Sequence, residues 1–290
     1  MTQTETRILP VLQTIRETYD AFRANLRHHL ILSYVFYLPF CLFLLMPGLT
    51  LPKYITQPGG QVTFGFTGPY LVFILVAFLL TSTLTLLFFR LYLVGSDGYL
   101  KVSLSGLARM LLKYILYLAA MVILLLIFML VMSVGIGLVM SIIAGITGWD
   151  VASQSNRTLA LLIGMLITVV TVGISFRLQS TFVSIAENKS FVSFREAWFY
   201  SRNNSLAIFI TVLACVVPAW LLSLLLLNGT MTFFNAGQAA TVNNAFIIVQ
   251  YLLSPVIFAP TSLFCSCLTI IYRYLTGKSG TTGHIADLIV

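Results

Sequence analysis

Acidic residues are scarce in this chain, and none stands in the middle of a long apolar run. The eight are Glu5, Glu17, Asp20, Asp97, Asp150, Glu187, Glu196 and Asp287. An ion-coupled transporter or proton pump ordinarily keeps an ionisable side chain inside the membrane, so that class is disfavoured at the outset. Charge of either sign is short: 8% of residues are charged and 59% are hydrophobic, with a mean hydropathy of +1.00. A soluble chain carries roughly 25% charged residues, so most of this surface faces something other than water. The composition is that of a multi-pass membrane protein.

Metal-ligating residues are as sparse. The four cysteines, Cys41, Cys215, Cys265 and Cys267, all lie in apolar runs. Cys265-Ser-Cys267 has the look of a ligand pair, but no histidine lies near it to complete a site, and small core thiols are the expectation. The three histidines are His28, His29 and His284. The His28-His29 pair opens the first apolar run and reads as an interfacial polar pair, with a metal or pH element as the sharper alternative. No cofactor is expected. The amino terminus lacks the short apolar core and small-residue cleavage site of a signal peptide.

What is present is six long apolar runs, expected as spans over about 30–49, 69–91, 111–145, 158–185, 205–227 and 245–275. The third is some 35 residues, roughly 50 Å at about 1.5 Å each, against a hydrocarbon core of about 30 Å. It must tilt, bend or protrude. Within it Ser133, Gly137, Ser141 and Gly145 recur every four residues, a small-residue stripe that reads as a helix-packing seam. Prolines 39, 218, 255 and 260 fall inside spans, where each removes one backbone hydrogen bond.

Two amphipathic stretches accompany the spans. In residues 8–28, Ile8, Leu12, Ile15, Tyr19, Phe22 and Leu26 repeat at steps of three and four. Arg16, Glu17, Asp20, Arg23 and Arg27 occupy the other face. This reads as an interfacial helix, or as a helix docked on a partner. In the connector around 187–204, Ser193-x-x-Glu196 has capping-box spacing. Phe194, Ala197, Trp198 and Ser201 then share one face of a short helix expected at the headgroup level.

Fourteen of the sixteen basic residues fall on one side of a six-span layout, leaving only Lys53 and Arg157 opposite. That asymmetry places both termini in the cytoplasm. The positive charge is scattered at span ends rather than clustered with aromatics, so its expected partner is anionic lipid and not nucleic acid.

Phe89-Arg90-Leu91, Phe176-Arg177-Leu178 and Tyr272-Arg273-Tyr274 close the even-numbered spans, and Arg23-Ala-Asn25 with Pro39 is echoed by Arg202-Asn-Asn204 with Pro218, 179 residues on (25 to 204, 39 to 218). One integral membrane domain, 1–290, built from three units over 8–93, 97–180 and 187–275 explains both patterns. The positive-inside rule alone also places an arginine after each returning span.

Phe22-Arg-Ala-Asn-Leu26 before span one, and Glu187 followed by Ser193-Phe-Arg-Glu-Ala-Trp-Phe-Tyr-Ser-Arg202 before span five, carry a family resemblance. The chain resembles the YciC-like bacterial inner-membrane proteins, which are related to the membrane domain of some glycerophosphodiester phosphodiesterases. Ser193, Ala197, Ser201 and Arg202 match the connector pattern; Asn203-Asn-Ser205 stands where the family commonly continues with Gly and Trp. The resemblance implies a six-span inner-membrane protein concerned with envelope maintenance. The phosphodiesterase catalytic domain has no room here.

Three sets of candidate site residues follow. Arg90, Arg177 and Arg273 are snorkelling anchors or, more sharply, forks for one anionic lipid phosphate, since a guanidinium donates two parallel bonds. Glu187, Ser193, Glu196, Ala197, Trp198, Ser201 and Arg202 form the connector motif. Gln250 and Ser254, one turn apart before Pro255, either line a polar cavity or bond a neighbouring helix or freed carbonyl. The resulting expectation is an all-α, six-span protein of the bacterial inner membrane, non-catalytic, binding anionic lipid or another membrane protein. A transporter of a lipid or apolar solute is the alternative. An enzyme ranks third, to be revived by a polar pocket at Glu187 or His28-His29.

Overall fold

The computed structural model describes residues 8–44, 53–56, 62–65, 68–147, 154–187, 191–233 and 244–277. Lys189, Lys278, His284 and the tail lie outside them. Among the described residues the chain forms nine helices: α1 (Val11–Ala24), α2 (Leu26–Leu44), α3 (Gly68–Val94), α4 (Leu104–Thr147), α5 (Gln154–Leu178), α6 (Ser180–Glu187), α7 (Phe194–Tyr200), α8 (Ser205–Phe233) and α9 (Asn244–Leu275). Six helical segments are long and apolar enough to cross a membrane, and their positions follow the six expected runs. One short antiparallel ribbon, β1 (Lys53–Thr56) with β2 (Val62–Gly65), sits in the Gly/Pro/Gln-rich loop between α2 and α3.

The hub is α9, which packs against α8, α2, α1, α3 and α6 and is the most buried of the six spans. Its sequence explains why. Ser254, Ser262, Cys265, Ser266, Cys267 and Thr269 are fully enclosed, and small residues let neighbouring backbones approach closely where lipid gives no hydrophobic push between helices. The core lies toward the end where α3, α5 and α9 finish. Phe88, Phe89, Phe182, Val183, Ile271 and Tyr272 are its largest or tightest members. This is called the arginine end below.

Prolines 39, 218, 255 and 260 all lie within continuous helices, and at two of them a neighbouring helix supplies the missing donor. Pro218 has no N–H for the Ala214 carbonyl, and the Tyr19 hydroxyl of α1 donates to it at 3.3 Å. Pro260 has none for the Val256 carbonyl, and Ser223 of α8 donates there at 2.7 Å.

The structure adds detail at three places. Span four is built of two helices: the chain turns at Gln179, and α6 enters the core as a separate wedge with Ser180 through Ala186 all buried. The turn at Gly95, whose φ of 89° suits glycine, leads into α4, which runs 44 residues, about 66 Å at 1.5 Å per residue. The small-residue stripe on α4, read as a helix-packing seam, faces no helix among the described residues: Ser133, Gly137 and Ser141 are exposed, and open space surrounds Gly137. The surroundings of Gly145 lie outside the description.

The 179-residue offset reappears in the helix boundaries. Asn25 caps α1 and α2 starts at Leu26; the turn after α7 ends at Asn204 and α8 starts at Ser205.

Candidate functional site

The connector folds as its spacing predicts. Ser193 caps α7: its hydroxyl accepts from the Glu196 N–H, and its own N–H donates to Glu196 Oε2 at 2.7 Å. The Ser193 hydroxyl also donates to the same Oε2 at 2.9 Å, and the two bonds donated by the Ser193 N–H and hydroxyl hold the Glu196 carboxyl below the usual carboxylate range. Ala197 and Ser201 are fully buried, while Trp198 and Phe199 are exposed.

The three arginines end up as braces between helix ends. Arg90 Nε donates to the Tyr99 carbonyl and Nη1 to the Ala186 carbonyl, each at 3.0 Å, and the residue is only 6% exposed. Arg273 Nη2 donates to the Leu93 carbonyl at 2.8 Å. Arg177 donates through Nε to Ser201 Oγ at 3.1 Å and through Nη2 to the Trp198 carbonyl at 2.8 Å, and its guanidinium stacks 3.5 Å from the centre of the Trp198 ring. Ala186, Trp198 and Leu93 stand in the last turns of α6, α7 and α3. Carbonyls there lack intrahelical donors and carry the negative end of the helix dipole, which a cation satisfies. Arg90, one of the three offered as a snorkelling anchor or a phosphate fork, is instead enclosed with its donors on two carbonyls. Arg90 and Arg273 work at the neighbouring ends of α3 and α6, and Arg177 joins the connector motif instead. Glu187 accepts from the buried Tyr272 hydroxyl at 2.7 Å and acts electrostatically on Arg273.

Helix α1 and its flanks divide three ways. Thr14 and Thr18 are buried against the protein, and Ser266 of α9 donates to the Thr18 carbonyl at 3.2 Å. Ile8 (80% exposed), Leu12 (84%) and Leu26 form an adjoining apolar flank, continued by the half-exposed Tyr19, that is left open among the described residues. Arg16, Arg23 and Arg27 lie on the far side, exposed. The start of α1 is anchored by the Leu9 N–H donating to Asn204 Oδ1 at 2.7 Å and by the Tyr274 hydroxyl donating to the Ile8 carbonyl at 2.8 Å. Burial, with the nearby thiols of Cys215 and Cys267, pushes the Tyr19 hydroxyl up from its ordinary pKa, so it remains a donor.

The two histidines diverge. His28 reaches the Tyr99 hydroxyl, 3.4 Å away. His29 is enclosed between Phe22 and Phe88, and its Nε2–H donates to the Pro255 carbonyl at 2.8 Å. No cluster of three potential metal ligands occurs among the described residues. Cys265 and Cys267 also part: Cys265 faces the Thr85 carbonyl of α3, while Cys267 lies beside Cys215 of α8.

Gln250 and Ser254 are both buried in α9. Gln250 donates to Thr230 of α8 at 2.6 Å and accepts from Tyr37 of α2 at 3.5 Å. Beside this bond lies a cavity of about 310 Å³ lined by Leu225, Leu226, Gly229, Thr230, Phe233 and Val249. Tyr19, Ser223 and Ser33 went unrecognised in the sequence. Ser33 had a readable signal, since His29, Ser33 and Tyr37 share one face at steps of four.

Six apolar spans, one of them the hub α9, with a braced rim at one end, define a multi-pass α-helical membrane protein. No family model matches the chain, nor does any curated protein or solved structure.

Proposed function

We propose that this is a non-catalytic protein of the bacterial inner membrane that gathers anionic phospholipid at the cytoplasmic leaflet, in keeping with its YciC-like connector. The observation that carries the reading is the three-way division of α1. A helix anchored to the protein on one side, with an uncovered apolar flank next to Arg16, Arg23 and Arg27, has the build of an element resting in the headgroup layer. The rim repeats that pairing. Leu100 and Leu104 are exposed near Lys101 and Arg109, and Phe191, Trp198 and Phe199 near Arg195 and Arg202. Both termini on the cytoplasmic side follow from the 14-to-2 distribution of basic residues.

The test is native mass spectrometry of the protein from nanodiscs of mixed zwitterionic and anionic lipid. Each arginine at an anionic surface contributes about 1 kcal/mol, so changing Arg16, Arg23 and Arg27 to Gln removes about 3 kcal/mol, roughly a hundred-fold in anionic-lipid preference. Retention unchanged by that triple variant would overturn the reading.

A transporter of a lipid or apolar solute is the second reading. The apolar cavity at Leu225 and Phe233 favours it, and photo-crosslinking from those positions to an acyl chain would bring it forward.

A further inference from the structure

Buried hydroxyls in this protein have a habit. Thr14, Thr18, Thr171, Ser184, Ser201, Thr211 and Thr269 each donate to a carbonyl three or four residues back along the chain. Ser33 and Ser254 break it. Both are fully enclosed, yet neither hydroxyl has a hydrogen-bond partner, and the same is true of His29 Nδ1. Of the four orphaned buried side-chain atoms among the described residues, these three belong to one place; the fourth, Thr181 Oγ1, lies apart in α6.

The place is the seam between α2 and α9. His29 is bonded to the carbonyl of Pro255, the residue next to Ser254, and Ser33 follows His29 by one helical turn on the same face. One turn further, Tyr37 meets Gln250, which is one turn before Ser254. Between the two ends Pro255 withholds its N–H from the Tyr251 carbonyl. The polar stripe from His29 to Tyr37 spans about 12 Å along the helix.

The chemistry of the orphans is complementary. Because Nε2 carries the hydrogen that reaches the Pro255 carbonyl, Nδ1 of a neutral imidazole is an acceptor. The two serines can each donate and accept. Leaving such groups unpaired in an apolar interior costs several kcal/mol, and lipid outside the bundle offers no relief. A buried water takes two to four partners, and this seam offers that many.

We propose that the α2–α9 seam binds internal water, held by His29 Nδ1, Ser33 and Ser254, and forms a hydrated polar slot leading from the arginine end toward Gln250 and Thr230. The slot is distinct from the lipid-facing rim, and its existence does not depend on that reading.

The test uses the full chain in phospholipid nanodiscs, with ¹⁵N-labelled histidine and His28→Gln and His284→Gln changes that leave His29 as the sole histidine. The expected result is the Nε2–H tautomer, a hydrogen-bonded Nδ1 shift and magnetisation transfer from water to the ring. In a Ser33→Ala, Ser254→Ala double variant that transfer falls at least about three-fold while the Nε2–H signal persists. An Nδ1 without a hydrogen-bond shift and no water transfer in the parent would overturn the proposal, as would transfer unchanged in the double variant. Should the double variant fail to fold, the parent spectrum decides alone.

Discussion

Arg90 at the end of α3 and Ala186 at the end of α6 are joined by a 3.0 Å bond that closes the buried wedge from a neighbouring helix. The two residues are 96 positions apart. The same side chain holds the Tyr99 carbonyl, so one arginine ties the turn before α4 to the core. Arg90→Met keeps much of the packing but leaves two enclosed carbonyls without their donors. At about 1–3 kcal/mol for each unsatisfied group, the apparent unfolding free energy falls by about 2–5 kcal/mol. Arg90→Lys recovers less than half, because an ammonium cannot span both carbonyls. Thermal denaturation in nanodiscs, followed by tryptophan fluorescence, measures both variants; a loss under about 1 kcal/mol in Arg90→Met would mean the carbonyls find other donors.

Tyr19 and Pro218 are coupled by the carbonyl of Ala214. Tyr19→Phe removes a donor that the proline made necessary, at a cost of about 1 kcal/mol. In a Pro218→Ala background the helix supplies its own N–H and the cost of Tyr19→Phe shrinks toward zero. A double-mutant cycle should therefore give a coupling of about 0.5–1 kcal/mol. Ser223→Ala with Pro260→Ala is the parallel cycle, read the same way. Additive effects in both would show that the two hydroxyl bonds do not answer the prolines.

The capping box sets a pH dependence at α7. The folded Glu196 carboxyl titrates below its usual range because Ser193 donates to it from both its N–H and its hydroxyl. A group depressed on folding stabilises fully above its unfolded pKa, about 4.3 for glutamate, and loses that contribution as pH falls through the folded value. Amide exchange at residues 197–201 should thus accelerate, beyond the intrinsic pH effect, only on the acid side of the unfolded value. Glu196→Gln should flatten that extra dependence. A Gln variant that keeps the same acid-side acceleration would assign it to another group.

The spans and the connector were readable because each is written locally. Apolar length sets a span, and Ser193 with Glu196 sets a cap, whatever lies elsewhere. The arginines show where local reading stops. Phe-Arg-Leu at a span end is equally compatible with a lipid phosphate and with another helix's carbonyls, and only the fold decides which lies within 3 Å. The break at Gln179 has no glycine or proline to announce it, because α6 is fixed by burial on every side and by Arg90. The hub role of α9 was hidden by composition. Its serines and cysteines look like weak polar interruptions until one sees that they admit five neighbours. The starts of α2 and α8 at Leu26 and Ser205 keep the 179-residue offset of Pro39 and Pro218.

Arg177 unites two candidate sets that the sequence kept apart, and this makes its chemistry separable. Its Nε and Nη2 bonds go to Ser201 and the Trp198 carbonyl, while its face lies on the Trp198 ring. Arg177→Lys keeps the charge and loses the fork. Trp198→Leu keeps the backbone carbonyl and loses the ring. A hydrogen bond from a charged group is worth about 1.5–3 kcal/mol, and a partly exposed cation–π contact about 0.5–1 kcal/mol. Arg177→Lys should therefore destabilise more than Trp198→Leu, and Ser201→Ala should cost about 1 kcal/mol in the parent but little in Arg177→Lys. Because α7 is short and buries chiefly Ala197, the loss should appear as local opening of α7 rather than global unfolding. Hydrogen exchange resolved to residues 194–204 distinguishes the two. Exchange that rises there alone makes Arg177 the latch of the connector; exchange that rises equally along α8 and α9 makes it a brace of the whole bundle.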